Sequence, residues 1–201
     1  MGGDRGQARK RLRELPPVFS YRMAIDAGIA RSKLYRLRDE GFIEAVGRGR
    51  FRITDDELPP DLELHEIAQR APEATICLAS ALSRHDLTDQ IPAAIDIAIP
   101  RGRRRPVIEA PVAWHSFDPK TFDIGHTALE LDEETVIGLY GPERSIIDAF
   151  RLRHLEGHEL AVEALKRWLR RPGSSPAALL AMARDFPKAR PALQTALEIL
   201  L

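Results

Sequence analysis

Between residues 20 and 53 the chain changes direction so often that no long element fits, and glycines stand at the changes. Tyr21 to Ala27 reads as a short helix with Ala24 and Ile25 turned inward. It stops at Gly28, where a left-handed backbone costs little. A second helix is expected to begin near Ala30 or Arg31 and to end at Gly41. Leu34 and Leu37 form its apolar stripe, and Phe42 and Ile43 extend that buried surface past the helix end. Phe42 to Val46 and Arg50 to Ile53 then read as two strands, with Gly47-Arg48-Gly49 as the tip between them.

Upstream, residues 7–15 suit a further helix with Ala8, Leu12 and Leu15 inward, ended by Pro16-Pro17. Val18 and Phe19 are expected to pack beside the next helix as the chain enters it. Three helices followed by a ribbon describe a winged helix-turn-helix, whose last helix is shaped to lie in a DNA major groove. Its polar face would carry Arg31, Ser32, Lys33, Tyr35 and Arg36, and the ribbon would add Arg48 and Arg50. Glycines let a hairpin approach the phosphate backbone closely, and arginines bind it. The plainer alternative, a solvated helix face, explains the charge on the helix. It explains less well why the basic excess continues through Arg48, Arg50 and Arg52.

Formal charge supports the division. The 201 residues hold 30 Lys/Arg and 30 Asp/Glu, so the net charge is zero. Yet residues 1–53 hold 13 basic and 6 acidic side chains, whereas residues 54–100 hold 2 and 10. A basic nucleic-acid module joined to a body with another task fits this segregation. The acidic, proline-rich stretch from Thr54 to Asp61 marks the boundary. The expected organisation is a DNA-binding domain over 1–54, a linker over 55–61 and an α+β interaction domain over 62–201. Cys77, the one cysteine, lies in an apolar run and reads as a buried thiol. No stretch approaches the roughly 20 apolar residues that span a bilayer, and a soluble cytoplasmic protein is expected.

In the second part, Leu62 to Arg70 reads as a helix, Thr75 to Leu78 as a short buried strand, and Ser80 to His85 as the opening of a helix. Strands are expected at Ala94 to Ile99, Val112 to Phe117, Ala128 to Leu131 and Val136 to Tyr140. From Pro142 onward the pattern is helical: a helix opens at Gly141-Pro142-Glu143, and others cover His158 to Arg170, Ala177 to Arg184 and Pro187 to Leu201. Strands come first and helices last. The fold class expected is α+β.

Three stretches together resemble the AbiEi family, antitoxins of type IV toxin–antitoxin systems that also regulate their own transcription. The first runs from Ala27 to Leu37 and on through Glu40-Gly41 to the Arg-Gly-Arg wing. The second is Ser80 to Pro92, followed by a strand and Pro100-Arg101-Gly102. The third is Tyr140 to Asp148, leading through Gly157 into the helix from Ala161 to Arg170. The resemblance implies a winged domain that binds inverted repeats in its own promoter. It also implies a second domain that counteracts a separate, nucleotidyltransferase-like toxin. The chain departs from the family pattern at Ala30, where relatives often place a helix-capping Ser; such a cap contributes roughly 1 kcal/mol.

Catalysis is the rival class, and its motifs are incomplete. A nucleotidyltransferase needs paired carboxylates on a strand, whereas Asp96-Ile97-Ala98 offers one acid without a partner. Glu109-Ala110-Pro111 lacks the acidic cluster and lysine of a metal-dependent nuclease. His154-Leu155-Glu156-Gly157-His158 has histidines four apart but no Glu after the first, and Gly157 interrupts the helix that would align them. No catalytic residue, metal or cofactor is expected. A stand-alone regulator without a toxin, and an enzyme that uses the winged domain to find DNA, remain the alternatives. Arg101, Arg103, Arg104 and Arg105 form a basic loop that could hold DNA phosphates, bind an acidic partner surface, or be solvated.

Overall fold

The computed structural model describes residues 3–16, 18–54, 61–108 and 110–201; the side chains of residues 3–5 and 156 lie outside that description. The linker expected over 55–61 falls almost wholly outside the described residues, as does Glu109. The fold is mixed α+β, and the chain divides into two compact units, Met1–Glu63 and Leu64–Leu201.

The first unit runs α1 (Gly3–Arg13), β1 (Val18–Ser20), α2 (Tyr21–Asp26), α3 (Arg31–Asp39), β2 (Ile43–Gly47) and β3 (Arg50–Ile53). Ser20 caps α2, its hydroxyl accepting from the Met23 N–H at 3.1 Å. At the other end of α2 the Arg11 guanidinium, reaching across from α1, donates to the carbonyls of Ala27 and Gly28 at 3.3 and 3.1 Å. Gly28 has φ +76°, and a Cβ there would lie 2.5 Å from that same guanidinium. The positive φ therefore favours glycine at position 28, and a side chain there would also displace the end of Arg11. α3 stops in a Schellman arrangement: Gly41 (φ +74°) donates to Arg38 and Phe42 to Leu37, both at 2.9 Å.

Val18-Phe19-Ser20, expected to enter the next helix as a connecting segment, is a strand. It pairs antiparallel with β3 (Phe19↔Phe51, Ser20↔Arg50), so the sheet has three strands in the order β1-β3-β2 rather than two. β3 becomes its centre. Ala8, Leu12, Phe19, Ala24, Ile29, Leu34, Leu37, Ile43, Phe51 and Ile53 form the shared core beneath it.

The second unit contains a five-stranded mixed sheet in the order β6-β5-β4-β8-β7. Its strands are β4 (Thr75–Ile76), β5 (Ile95–Pro100), β6 (Val112–Phe117), β7 (His126–Glu130) and β8 (Val136–Tyr140). Because strand side chains alternate, Ile76, Ile97, Ile137 and Leu139 share one face and pack with Leu64, Ile67 and Ala68 of α4 (Leu62–Arg70). Cys77, Ala98, Phe117 and Tyr140 belong to a second cluster with Phe122, from the unforeseen short helix α6 (Pro119–Phe122). The remaining helices are α5 (Leu78–Arg84), α7 (Pro142–Arg151), α8 (Arg153–Glu156), α9 (His158–Leu169), α10 (Pro176–Met182) and α11 (Arg190–Leu200). Ile146, Phe150, Leu160, Leu165, Trp168, Leu179, Leu193 and Leu197 fill the helical core.

One buried ion network joins the two parts of this unit. Arg144 of α7 is fully buried, its guanidinium between the rings of Tyr140 and Phe186 at 4.2 and 4.4 Å. It donates to Asp148 at 2.9 Å and to the carbonyls of Thr121 and Ile124 at 2.6 and 2.5 Å, so the helix holds the segment between β6 and β7. Arg151 pairs with the other Asp148 oxygen at 2.8 Å. Removing one partner of such a network leaves a buried charge uncompensated. Asp148→Asn is expected to cost about 3–5 kcal/mol, read as a lower urea midpoint by tryptophan fluorescence; an unchanged midpoint would show that the network contributes little.

Candidate nucleic-acid interface

Helix α3 has nine residues and rises about 1.5 Å for each, so it presents a short rod of roughly 13 Å. Its orientation is set from below. Leu34 and Leu37 are buried, and Ile29, Phe42 and Ile43 continue their contact surface on either side. The opposite face is left to the polar residues. Arg31, Ser32 and Arg36 are exposed, while Lys33 and Tyr35 are half-buried. Ala30 occupies the N-cap position with extended backbone and no side-chain hydrogen bond, as its methyl group requires.

Tyr35 organises this face. Its ring meets Phe51 edge-on with centroids 6.4 Å apart, which ties the helix surface to β3. On the outer side the guanidinium of Arg38 lies 4.9 Å from the Tyr35 centroid and that of Arg31 lies 5.8 Å away, one turn to either side. Arg38 also pairs with Asp39 at 2.8 Å, which half-neutralises it. Arg38 was outside the expected contact set, although the i+3 spacing from Tyr35 could have placed it there. Arg31 and Arg36 form no ion pair with a described residue. Two exposed guanidiniums on a rigid rod need no internal ion pair broken before they meet an anion.

The hairpin departs from expectation at one of its two arginines. Arg48 is exposed in the two-residue turn Arg48-Gly49, where Gly49 has φ +72°. Arg50, expected to reach out beside it, is only 7% exposed. β1 pairs along β3 and sets Ser20 opposite Arg50, so a third strand flanks this position. The Gly49 carbonyl also accepts from the Tyr21 N–H at 2.8 Å, so the tip is tied to the start of α2. Arg52 is half-buried and pairs with Glu44 across the hairpin. Arg50 is therefore withdrawn from the candidate contacts, and Arg48 is what the turn offers.

In the second unit, Arg101, Arg103, Arg104 and Arg105 are all exposed on the loop that follows β5. They are not equivalent. Arg103 pairs with Glu73 at 2.8 Å and Arg105 donates to the Ser116 hydroxyl at 3.2 Å, while Arg101 and Arg104 make no such contact with a described residue. Asp96 is buried: it accepts from the Ser80 N–H and hydroxyl at 3.3 Å and lies 2.9 Å from His115 Nε2. With the carboxylate between serine and histidine, the order of a nucleophilic triad, in which histidine is central, is not met. His154 lies in α8 and His158 opens α9, with Gly157 (φ +90°) between them. Among the described residues no three His, Cys, Asp or Glu side chains gather as a metal site would require, and no helix is long and apolar enough to cross a membrane.

No family model matches this chain, and no curated protein matches it. Among solved structures it is similar to the crystal structure of the Rv2827c protein from Mycobacterium tuberculosis, with a TM-score of 0.54 at 19% identity. The alignment covers 97% of this chain and 78% of that one, a likeness of fold.

The two hairpin arginines are expected to separate by stability alone. Arg50→Ala removes a buried side chain and should cost the first unit about 1–3 kcal/mol, whereas Arg48→Ala should stay within about 0.5 kcal/mol. Thermal melting of the two variants checks this, and equal melting temperatures would contradict the burial of Arg50.

Proposed function

We propose that the first unit is a winged helix-turn-helix that binds double-stranded DNA sequence-specifically, with α2 and α3 as the helix pair and the β2–β3 hairpin as the wing. The observation that carries this reading is the division of α3: two leucines buried beneath it, and Arg31, Ser32 and Arg36 exposed above. In this reading Arg36 and Ser32 meet base edges, because they lie one turn apart on the outward face. Arg31, Lys33 and Tyr35 flank them. Arg48 binds phosphate from the wing. A nine-residue helix is long enough to enter a major groove about 12 Å wide.

We further propose that the chain acts as a transcriptional repressor of its own operon and as the antitoxin of a type IV toxin–antitoxin pair. The second unit would then counteract a nucleotidyltransferase-like toxin, and the operator would be an inverted repeat. Support for this part comes from the three AbiEi-like stretches, one in the first unit and two in the second. The second of them ends at the Arg101 turn, and the third contains the Arg144–Asp148 pair. A regulator without a toxin shares every feature of the first unit; toxicity of the neighbouring gene product, relieved by this chain, distinguishes the two.

Mobility-shift titrations against the region upstream of the gene test the contact assignment. Arg36→Ala is expected to lose about 1–3 kcal/mol on the operator and to blur its preference over other duplexes. Arg48→Ala is expected to weaken all duplexes alike and to reduce the dependence of affinity on salt. Unaltered binding by Arg36→Ala on every duplex would remove α3 from the interface.

A further inference from the structure

We propose that the second unit binds a nucleoside phosphate in the cleft between the β5–β6 end of its sheet and α6. This assignment is independent of DNA binding by the first unit. The cleft has a volume of about 490 Å³, within the range that takes a small ligand of this size. Pro100, Pro119 and Phe122 supply apolar wall, and Arg101, Asp123 and His126 supply polar groups.

Arg101 is the anion-binding group. Its backbone is fixed on both sides: its N–H donates to Phe117 at 2.7 Å, and the Arg103 N–H closes the turn onto Pro100 at 3.1 Å. Gly102, at φ +93°, completes that turn. The guanidinium thus projects from a rigid strand end, and it has no ion pair with a described residue. Arg103, beside it, is already matched by Glu73 at 2.8 Å.

Charge decides which anion fits. Arg103 and Glu73 cancel, and Asp123 offsets Arg101, so these four formal charges sum to zero. Such a site attracts a polyanion poorly. It suits a ligand with a phosphate at one end and hydrogen-bond donors at the other, as in a nucleotide: phosphate to Arg101, ribose hydroxyls or a base amino group to Asp123.

A second observation lies beneath His126. Thr75, Ala98 and Gly138 form one row across the sheet, leaving a shallow floor. A Cβ on Gly138 would lie 2.4 Å from His126 Nε2 and 2.5 Å from the Thr75 hydroxyl. That hydroxyl is fully buried and has no hydrogen-bond partner. Only glycine lets the imidazole of His126, which lines the cleft, lie over this floor.

Calorimetric titration of the full chain with AMP, GMP and UMP in turn tests the assignment, with inorganic phosphate as the comparison. Saturable binding of at least one nucleotide, tighter than inorganic phosphate, is expected. Arg101→Ala should weaken it about ten- to a hundredfold, as loss of a charged hydrogen bond implies. Asp123→Asn should weaken the nucleotide severalfold without weakening inorganic phosphate. Arg104→Ala, in the same loop but outside the cleft lining, should change neither. Absence of saturable binding by all three nucleotides overturns the proposal. So does an equal loss from Arg104→Ala, which would mean diffuse attraction to a basic loop, or a response to the nucleotides no stronger than to inorganic phosphate.

Discussion

Two leucines decide which way α3 faces, and the account of the first unit depends on them. An isolated helix of nine residues is marginal in water, because nucleation fixes several dihedrals before hydrogen bonds repay it. Burying Leu34 and Leu37 contributes about 1.5–3 kcal/mol each and does so in one rotational setting only. A rotation of one residue, 100°, would carry a leucine toward water and draw a charged side chain under the helix. The polar face is thus a consequence of packing. Arg31, Ser32 and Arg36 are outward because nothing else satisfies the core formed with Phe19, Ile43 and Phe51.

The second unit uses a different device for the same purpose. Its sheet face bears Thr75, Ala98 and Gly138, residues too small to meet the helical layer alone. Phe117, Phe122 and Tyr140 fill that gap, and Arg144 threads between aromatic rings to tie the segment around α6 to α7. The cleft beside α6 owes its shape to this strut, since Thr121 and Ile124, whose carbonyls Arg144 holds, bracket Phe122 and Asp123. Charge buried for architecture at Arg144 and charge left exposed at Arg101 lie on the same unit, with opposite consequences. The first is matched by Asp148 and is a poor candidate for ligand chemistry; the second is unmatched at a strand end.

Much of this was legible in the residues because period and punctuation agreed. Leu34/Leu37 spacing and Gly28/Gly41 placed α3 within a residue or two, and the apolar alternation from Ile95 to Ile99 placed β5. What was missed has a common cause: short elements defined by their partners. Val18-Phe19-Ser20 has no readable period over three residues and follows a proline pair, so β1 is visible only through its pairing with β3. Arg50, a basic residue beside a glycine tip, reads as exposed in the sequence, and its burial is visible only in the fold. Pro119–Phe122 is one helical turn, below what periodicity can register. Arg144 looked like any helix arginine, since its burial comes from Tyr140 and Phe186, the latter 42 positions along the chain.

The central claim is that α3 is the surface that enters DNA. It is tested most directly by placing a photoreactive side chain at Ser32 of the full chain and irradiating the complex with duplex from the region upstream of the gene. Cross-links to bases within a narrow register, lost when Arg36 is also replaced, are what this account requires. Retained duplex binding with no cross-link from position 32, or cross-links scattered evenly over unrelated sequence, would contradict it.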